Sequence, residues 1–234
     1  MSSLISIENL HKRYGSTVAL QNISLEIPKG AIVGLLGPNG SGKTTLIKIL
    51  MGLLSDYKGQ ALIDGVAPGE IANQHIAYLP DKSHIPTWFD ATAAINFFTD
   101  FYEDFDKERA CEMLDSMEIP LKKKIKTLSR GMQEKVGLAM VMSRRAKLYI
   151  LDEPIGAVDP ASRDFIMETI LKNYDEESSI LLSSHIISDI ESVLDRAIFL
   201  KKGEIIIHDE ADHIRSENQK SLDELFREVF RNVR

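Results

Sequence analysis

The chain has 234 residues, 44% of them hydrophobic and 27% charged, the balance of a globular protein with one substantial core or a core plus a small subdomain. Its net charge of −7 argues against nucleic acid as the main partner, because binding to a phosphate backbone wants a basic footprint. The lone Cys111 excludes an intramolecular disulfide and any cysteine-rich metal site, which fits a reducing cytosol. Met1-Ser2-Ser3 lacks the basic start and apolar stretch of a signal peptide, and no apolar run reaches the ~20 residues that span a membrane. The expectation is a cytoplasmic chain whose membrane role, if it has one, comes through a partner.

The first part reads as strands. Short β-rich runs cover 4–7, 23–27 and 31–36, separated by turn signals that include Pro28-Lys29-Gly30. The third run is continuously apolar, as in a strand buried on both faces of a parallel or mixed sheet. A helix is expected from Lys43 to about Leu54, a strand near 60–63 ending in the turn Asp64-Gly65, and another strand at 76–79. From about Thr87 to Arg145 the spacing turns helical, with Pro86 and Pro120 as breaks. Strand 148–151, helix 161–174, strand 179–183 and helix 186–194 resume an alternating pattern that implies a parallel sheet, and two strands close around Lys202-Gly203. In the tail, Leu222, Leu225, Phe226, Val229, Phe230 and Val233 recur at helical spacing among charges. That amphipathic helix is expected to pack on its own core or on a sister subunit, since a membrane-surface helix would be more basic. The expected units are a core at 1–86 and 146–214, an inserted helical subdomain at 87–145, and a terminal helix at 215–234.

Gly37-Pro38-Asn39-Gly40-Ser41-Gly42-Lys43-Thr44 fits the phosphate-loop pattern at every required position, after a buried strand and opening a helix. Its glycines let backbone N–H groups turn inward around a β-phosphate, and the helix N-terminus adds favourable potential. Lys43 is expected to bridge the β- and γ-phosphates, and the Thr44 hydroxyl to ligate Mg²⁺. The loop alone does not separate kinases, GTPases and transport ATPases. The apolar strand that starts at Leu148 ends in Asp152-Glu153. Carboxylates at the end of a buried strand are costly unless they serve a cation or a reaction. Asp152 would hold Mg²⁺ and Glu153 would polarise the attacking water.

Together with Leu128-Ser129-Arg130-Gly131-Met132-Gln133, the Val158-Asp159-Pro160 turn and Ser184-His185, these motifs resemble the nucleotide-binding domain of an ATP-binding-cassette (ABC) transporter, in order and spacing from Ile5 to about Asp209. The resemblance implies an α/β P-loop NTPase: a RecA-like core with a mixed sheet, an antiparallel β segment and an inserted helical subdomain. It implies ATP and Mg²⁺ as cofactors. The ATP contacts would come from Tyr14, stacking on adenine, and from Gly37 through Thr45. The signature residues Ser129, Arg130, Gly131, Met132 and Gln133 would meet the ATP of a second copy in a head-to-tail dimer. Asp159 would link the two sites, and His185 would join Lys43 and Glu153 in catalysis, touching the γ-phosphate and orienting the water.

The chain departs from the family pattern in two places. Arg130 and Met132 stand where glycine and glutamine are usual, a variant that resembles bacterial type-2 exporter ATPases. Asp81, after Tyr78-Leu79-Pro80, stands where a glutamine touches Mg²⁺ and couples to the membrane subunit; a carboxylate can ligate Mg²⁺ as well, although Asp81 could instead cap the next turn. Trp88 and Phe89, within 84–89, suit either docking of a membrane helix or core packing. The resemblance thus implies a cytoplasmic ATPase subunit, peripheral on the membrane through integral permease subunits, that closes on ATP and reopens after hydrolysis. A soluble assembly ATPase of the same family is the alternative. A phosphate-loop kinase would need neither the Ser129 element nor His185.

Overall fold

The computed structural model describes residues 3–82, 85–156, 160–172, 174 and 177–231, with side chains from residue 163 onward in the helix that starts at residue 160. Two sheets lie against each other. Strands β1 (Ser3–Tyr14), β2 (Thr17–Pro28) and β4 (Lys58–Ile63) form an antiparallel sheet in the order β2-β1-β4. The second sheet contains β3 (Ile32–Leu36), β5 (Ile76–Leu79), β6 (Leu148–Asp152), β7 (Ser179–Ser184), β8 (Arg196–Lys201) and β9 (Glu204–Glu210). Its order is β5-β6-β7-β3-β8-β9, with five parallel strands and only β9 antiparallel. This is the expected mixed sheet with its antiparallel β segment.

Side-chain alternation explains why the parallel strands are apolar throughout. Leu36, Tyr149, Leu151, Ile180, Leu182 and Phe199 point into one core, shared with the helices. Val33, Leu35, Leu148, Ile150, Leu181 and Ile198 point into the other, shared with the antiparallel sheet. A strand covered on both faces needs an apolar residue at every position.

Helix α1 (Lys43–Leu50) follows β3 and a short α2 (Glu70–Asn73) precedes β5. Helix α1 stops earlier than expected. Gly52 takes φ 68°, its N–H donates to Ile49 O at 2.9 Å, and the Leu53 N–H donates to Lys48 O at 2.9 Å, a Schellman end that no residue but glycine makes cheaply. Helices α3 (Ala91–Phe101), α4 (Lys107–Ser116) and α5 (Arg130–Met142) fill the helical stretch, and Asp90, Asp106 and Ser129 cap them with side-chain oxygens.

After β6 comes α6 (Pro160–Lys172). The helix expected over 186–194 does not form. Only a 3₁₀ turn at Glu191–Val193 appears, because the Ser184 hydroxyl accepts the Ile186 N–H at 2.9 Å and Asp195 is drawn back to Ile32, whose N–H donates to Asp195 Oδ2 at 2.7 Å. The connection is short, and its isoleucines are poor helix formers. Helix α7 (Ala211–Asn218), not foreseen, and α8 (Leu222–Phe230) complete the chain. Only Ala211 and Ile214 of α7 are buried, which leaves little periodicity to read. Helix α8 starts with a capping box of Ser221 and Glu224. It packs on the chain's own core, the rings of Phe226 and Phe230 lying 5.8 and 6.1 Å from that of Phe199. Val233 and His84 lie outside the described residues, as do Val158 and Asp159.

Candidate functional site: a phosphate loop facing two strand-end acids

The site lies at the C-terminal ends of the parallel strands. Between β3 and α1, residues 37–42 turn sharply enough to bring the Lys43 ammonium back onto Gly37 O at 2.6 Å. A Cβ at Gly37 would meet Leu200 O at 2.4 Å and Ser41 Oγ at 2.6 Å, and Gly42 has φ 115°. Neither position accepts a side chain. The loop is also pinned from outside, with the Gly203 N–H donating to Ser41 O at 2.8 Å. The Ser41 hydroxyl is buried with no hydrogen-bond partner among the described residues, an unmet polar group inside the loop.

Opposite the loop stand the ends of β6 and β7. Asp152 pairs in register with Ser183, whose hydroxyl donates to Asp152 Oδ1 at 2.5 Å and accepts the Glu153 N–H at 3.1 Å. Asp152 is 1% exposed, and burial pushes its carboxyl above the usual range. The Ser183 hydroxyl draws it down, while Glu153 and Asp81 push it up and Lys43 opposes them. Glu153 has φ 54°, a left-handed turn that swings its carboxylate from the strand toward the loop. Its Oε1 lies 3.3 Å from Lys43 Nζ without a hydrogen bond among the described residues, and its Oε2 lies 2.7 Å from His185 Nδ1.

A cavity of about 520 Å³ joins these groups. Tyr14, Thr17, Val18 and Ala19 line it beside residues 38–45 of the loop, and Asp81, Arg130, Glu153, Gly156 and His185 line it as well. Tyr14 is 48% exposed, with the Lys12 ammonium 5.1 Å from its ring centre. Lys12 is itself buried and bonded to Asp56. The structure therefore gathers Tyr14, the loop, Asp81, Glu153 and His185, with Asp152 behind them. Of the signature residues only Arg130 reaches this cavity. Ser129 caps α5, accepting the Met132 N–H at 3.3 Å, and Gln133 donates to Leu128 O at 3.1 Å. Gly131 and Met132 also lie away from the cavity of their own chain. Ser183 and Lys12 were missed in the sequence. For Ser183 the signal was a hydroxyl pair closing an apolar strand; Lys12 had none.

The family model for ABC transporters matches residues 20–156. The chain belongs to the ABC transporter family. It is 34% identical over 211 residues to the uncharacterized ABC transporter ATP-binding protein YdbJ of Bacillus subtilis (strain 168), covering 86% of this chain and 68% of that one. It is 32% identical to the lantibiotic transport ATP-binding protein SrtF of Streptococcus pyogenes, covering 95% and 96%. A solved ATP binding subunit of an ABC transporter superposes with a TM-score of 0.86 at 26% identity, over 97% of this chain and 99% of that one. The ABC cassette described here is an ATPase of the P-loop class. Among its described residues no helix is long and apolar enough to cross a membrane.

Proposed function

We propose that this cassette powers an exporter: two copies close head-to-tail on two ATP molecules and pull on integral membrane permease subunits. The observation that carries the reading is a cavity in which Glu153 meets both Lys43 and His185 beside a complete phosphate loop. Tyr14 would stack on adenine and the backbone of residues 37–45 would wrap the phosphates. Lys43 would hold the β- and γ-phosphates. Glu153 would take a proton from the attacking water, with His185 fixing the carboxylate through the 2.7 Å contact.

The fit to Mg²⁺ rests on the donor set. Among the described residues no three His, Cys, Asp or Glu side chains gather into a cage. Mg²⁺ suits sites that offer one or two carboxylates and leave the rest of its shell to phosphate and water. Asp152, buried with few compensating partners, the Thr44 hydroxyl and Asp81 meet that description. When bound, Mg²⁺ neutralises charge that builds on the phosphates.

Ser129, Gly131, Met132 and Gln133 lie away from their own chain's cavity, which supports a role toward a second copy; Asp159 would link the two sites. The units at 1–86 and 146–214, 87–145 and 215–234 would then serve as nucleotide-binding core, signature and docking arm, and terminal brace. Permease docking is supported by an apolar groove of about 760 Å³ between the core and the helical stretch, lined by Leu53, Tyr78, Phe101 and Tyr102 among others. Phe101 in its lining is 68% exposed, and Trp88, 69% exposed, joins the same row of rings through Phe89 and Phe97, whereas Phe89 packs inward. The lean to export comes from the Arg130-Met132 variant and from SrtF, whose name assigns it to lantibiotic transport. The test is Glu153→Gln: in ATP and Mg²⁺ it should accumulate as a stable dimer with turnover reduced about 10²- to 10⁴-fold. A variant that remains monomeric with bound ATP would refute closure of two copies on ATP.

A further inference from the structure

Two residues of β1 meet at the edge of the nucleotide cavity, and only one of them lines it. Tyr14 lies beside the phosphate loop with about half its surface open. Lys12, two positions earlier, is 5% exposed and does not line the cavity. Its Nζ nevertheless stands over the Tyr14 ring, 5.1 Å from the ring centre, within the range at which an ammonium and an aromatic face attract. A buried lysine is uncommon and needs partners that hold its charge. Among the described residues Asp56 supplies them: Lys12 Nζ donates to its backbone carbonyl and to Oδ2, the latter at 3.3 Å. The Asp56 side chain is itself fully exposed. Asp56 lies between α1 and β4, so the helix that opens at the phosphate loop leads into the residue that fixes the ammonium against the ring.

We propose that Lys12 is a positioning residue for the nucleotide base. Its ammonium holds one face of the Tyr14 ring, and the other face is left to stack on the purine. The proposal rests on the ATP-binding reading above and deepens its base contact. The cation draws on the π electrons of the ring from one side, which lowers the repulsion between facing π systems when a base stacks on the other. The contact also fixes the ring before the nucleotide arrives, so less side-chain freedom is lost on binding. A solvated lysine would give neither effect, because water and salt would screen its charge. Burial is what makes Lys12 effective here. In this role it acts through Tyr14 and makes no contact with the phosphates.

The test is equilibrium binding of a β,γ-imido ATP analogue and of ribose 5-triphosphate, each with Mg²⁺, to the full chain. Lys12→Met keeps the length of the stem and removes the charge, and with the Asp56 carboxylate in water it leaves no buried ion unpaired. It should weaken the ATP analogue about three- to tenfold. Its affinity for ribose triphosphate should be unchanged, which also reports that the variant is folded. Lys12→Gln, which keeps a donor for the Asp56 carbonyl, should act in the same way and serves if the methionine variant does not fold. In a Tyr14→Leu background, Lys12→Met should have no further effect on either ligand. If Lys12→Met weakens both ligands by one factor, or weakens the ATP analogue as much without the ring as with it, Lys12 is only a strut of β1 and the proposal is overturned. A wild-type chain that binds neither ligand overturns the ATP-binding reading itself. One that binds both equally leaves the triphosphate reading standing and overturns the base contact together with the role of Lys12.

Discussion

The two ends of β6 carry buried charge in opposite ways. Before its first residue, Arg144 is satisfied on every side. It donates to Asp104 Oδ1 and Oδ2 at 2.9 and 3.0 Å, to Ile76 O at 2.6 Å and to Gln74 O at 2.9 Å. Its guanidinium also lies 3.9 Å from the centre of the Tyr102 ring. At its other end Asp152 and Glu153 crowd together, and among the described residues Lys43 is the one close ammonium and a carboxylate oxygen of Glu153 has no hydrogen bond. Arg144 ties the helical stretch to the sheet and is complete within the chain. The acids at the other end are held by the fold in positions their own neighbours do not satisfy, which is how a site prepared for phosphate, cation and water differs from a structural one.

The largest effect that could break this comparison comes from Arg144→Met. It leaves Asp104 and two carbonyls without their donor and should cost about 3–5 kcal/mol in urea unfolding. Asp104→Asn, which keeps a neutral partner, should cost less. If Arg144→Met unfolds at the wild-type urea concentration, the network is not what joins helices to sheet. At the other end, Ser183→Ala removes the donor to Asp152 and one of the two acceptors of the Glu153 N–H. Because the Glu153 N–H keeps the Ser183 carbonyl at 3.2 Å, the cost is that of the lost donor to Asp152, about 1–3 kcal/mol, and the variant's ATP turnover should fall by a larger factor than that of Asp104→Asn. Equal losses of turnover would mean that the two ends of β6 do not divide structure from chemistry.

The division between these ends also marks what could be read from the residues. The phosphate loop and the Asp152-Glu153 pair were legible because their chemistry constrains residue type at adjacent positions, and the apolar runs of β3, β6 and β7 were legible because both faces are buried. Arg144 was not, since its partners come from Gln74, Ile76 and Asp104, brought together only by folding. Nor was the reach of Arg130 into its own cavity, which depends on how α5 is set against the core. The failure of the 186–194 helix has the same origin. Its isoleucine spacing fits a helix, but the bonds that decide the segment run to Ile32 and within Ser184-His185-Ile186, and spacing does not record them.

The smallest effect concerns the junction of the two sheets. Asp64, at the turn after β4, pairs with Lys147 at 2.8 Å and Lys29 at 2.6 Å. These are the residues just before β6 and just after β2. The two ammonium groups, Lys147 foremost, hold the Asp64 carboxyl at about 2 against an ordinary 3.8. A carboxyl whose folded value is depressed adds stability above its unfolded value and loses it as pH falls through the folded one. Wild type and Asp64→Asn should therefore differ near neutrality, converge below about pH 4 and coincide near pH 2. The lysine side chains are 44% and 52% exposed, so solvent screening limits the difference to about 0.5–1 kcal/mol, and 1 M salt should shrink it further. A gap that survives at pH 2 would mean that Asp64 acts through the geometry of its turn and not through charge.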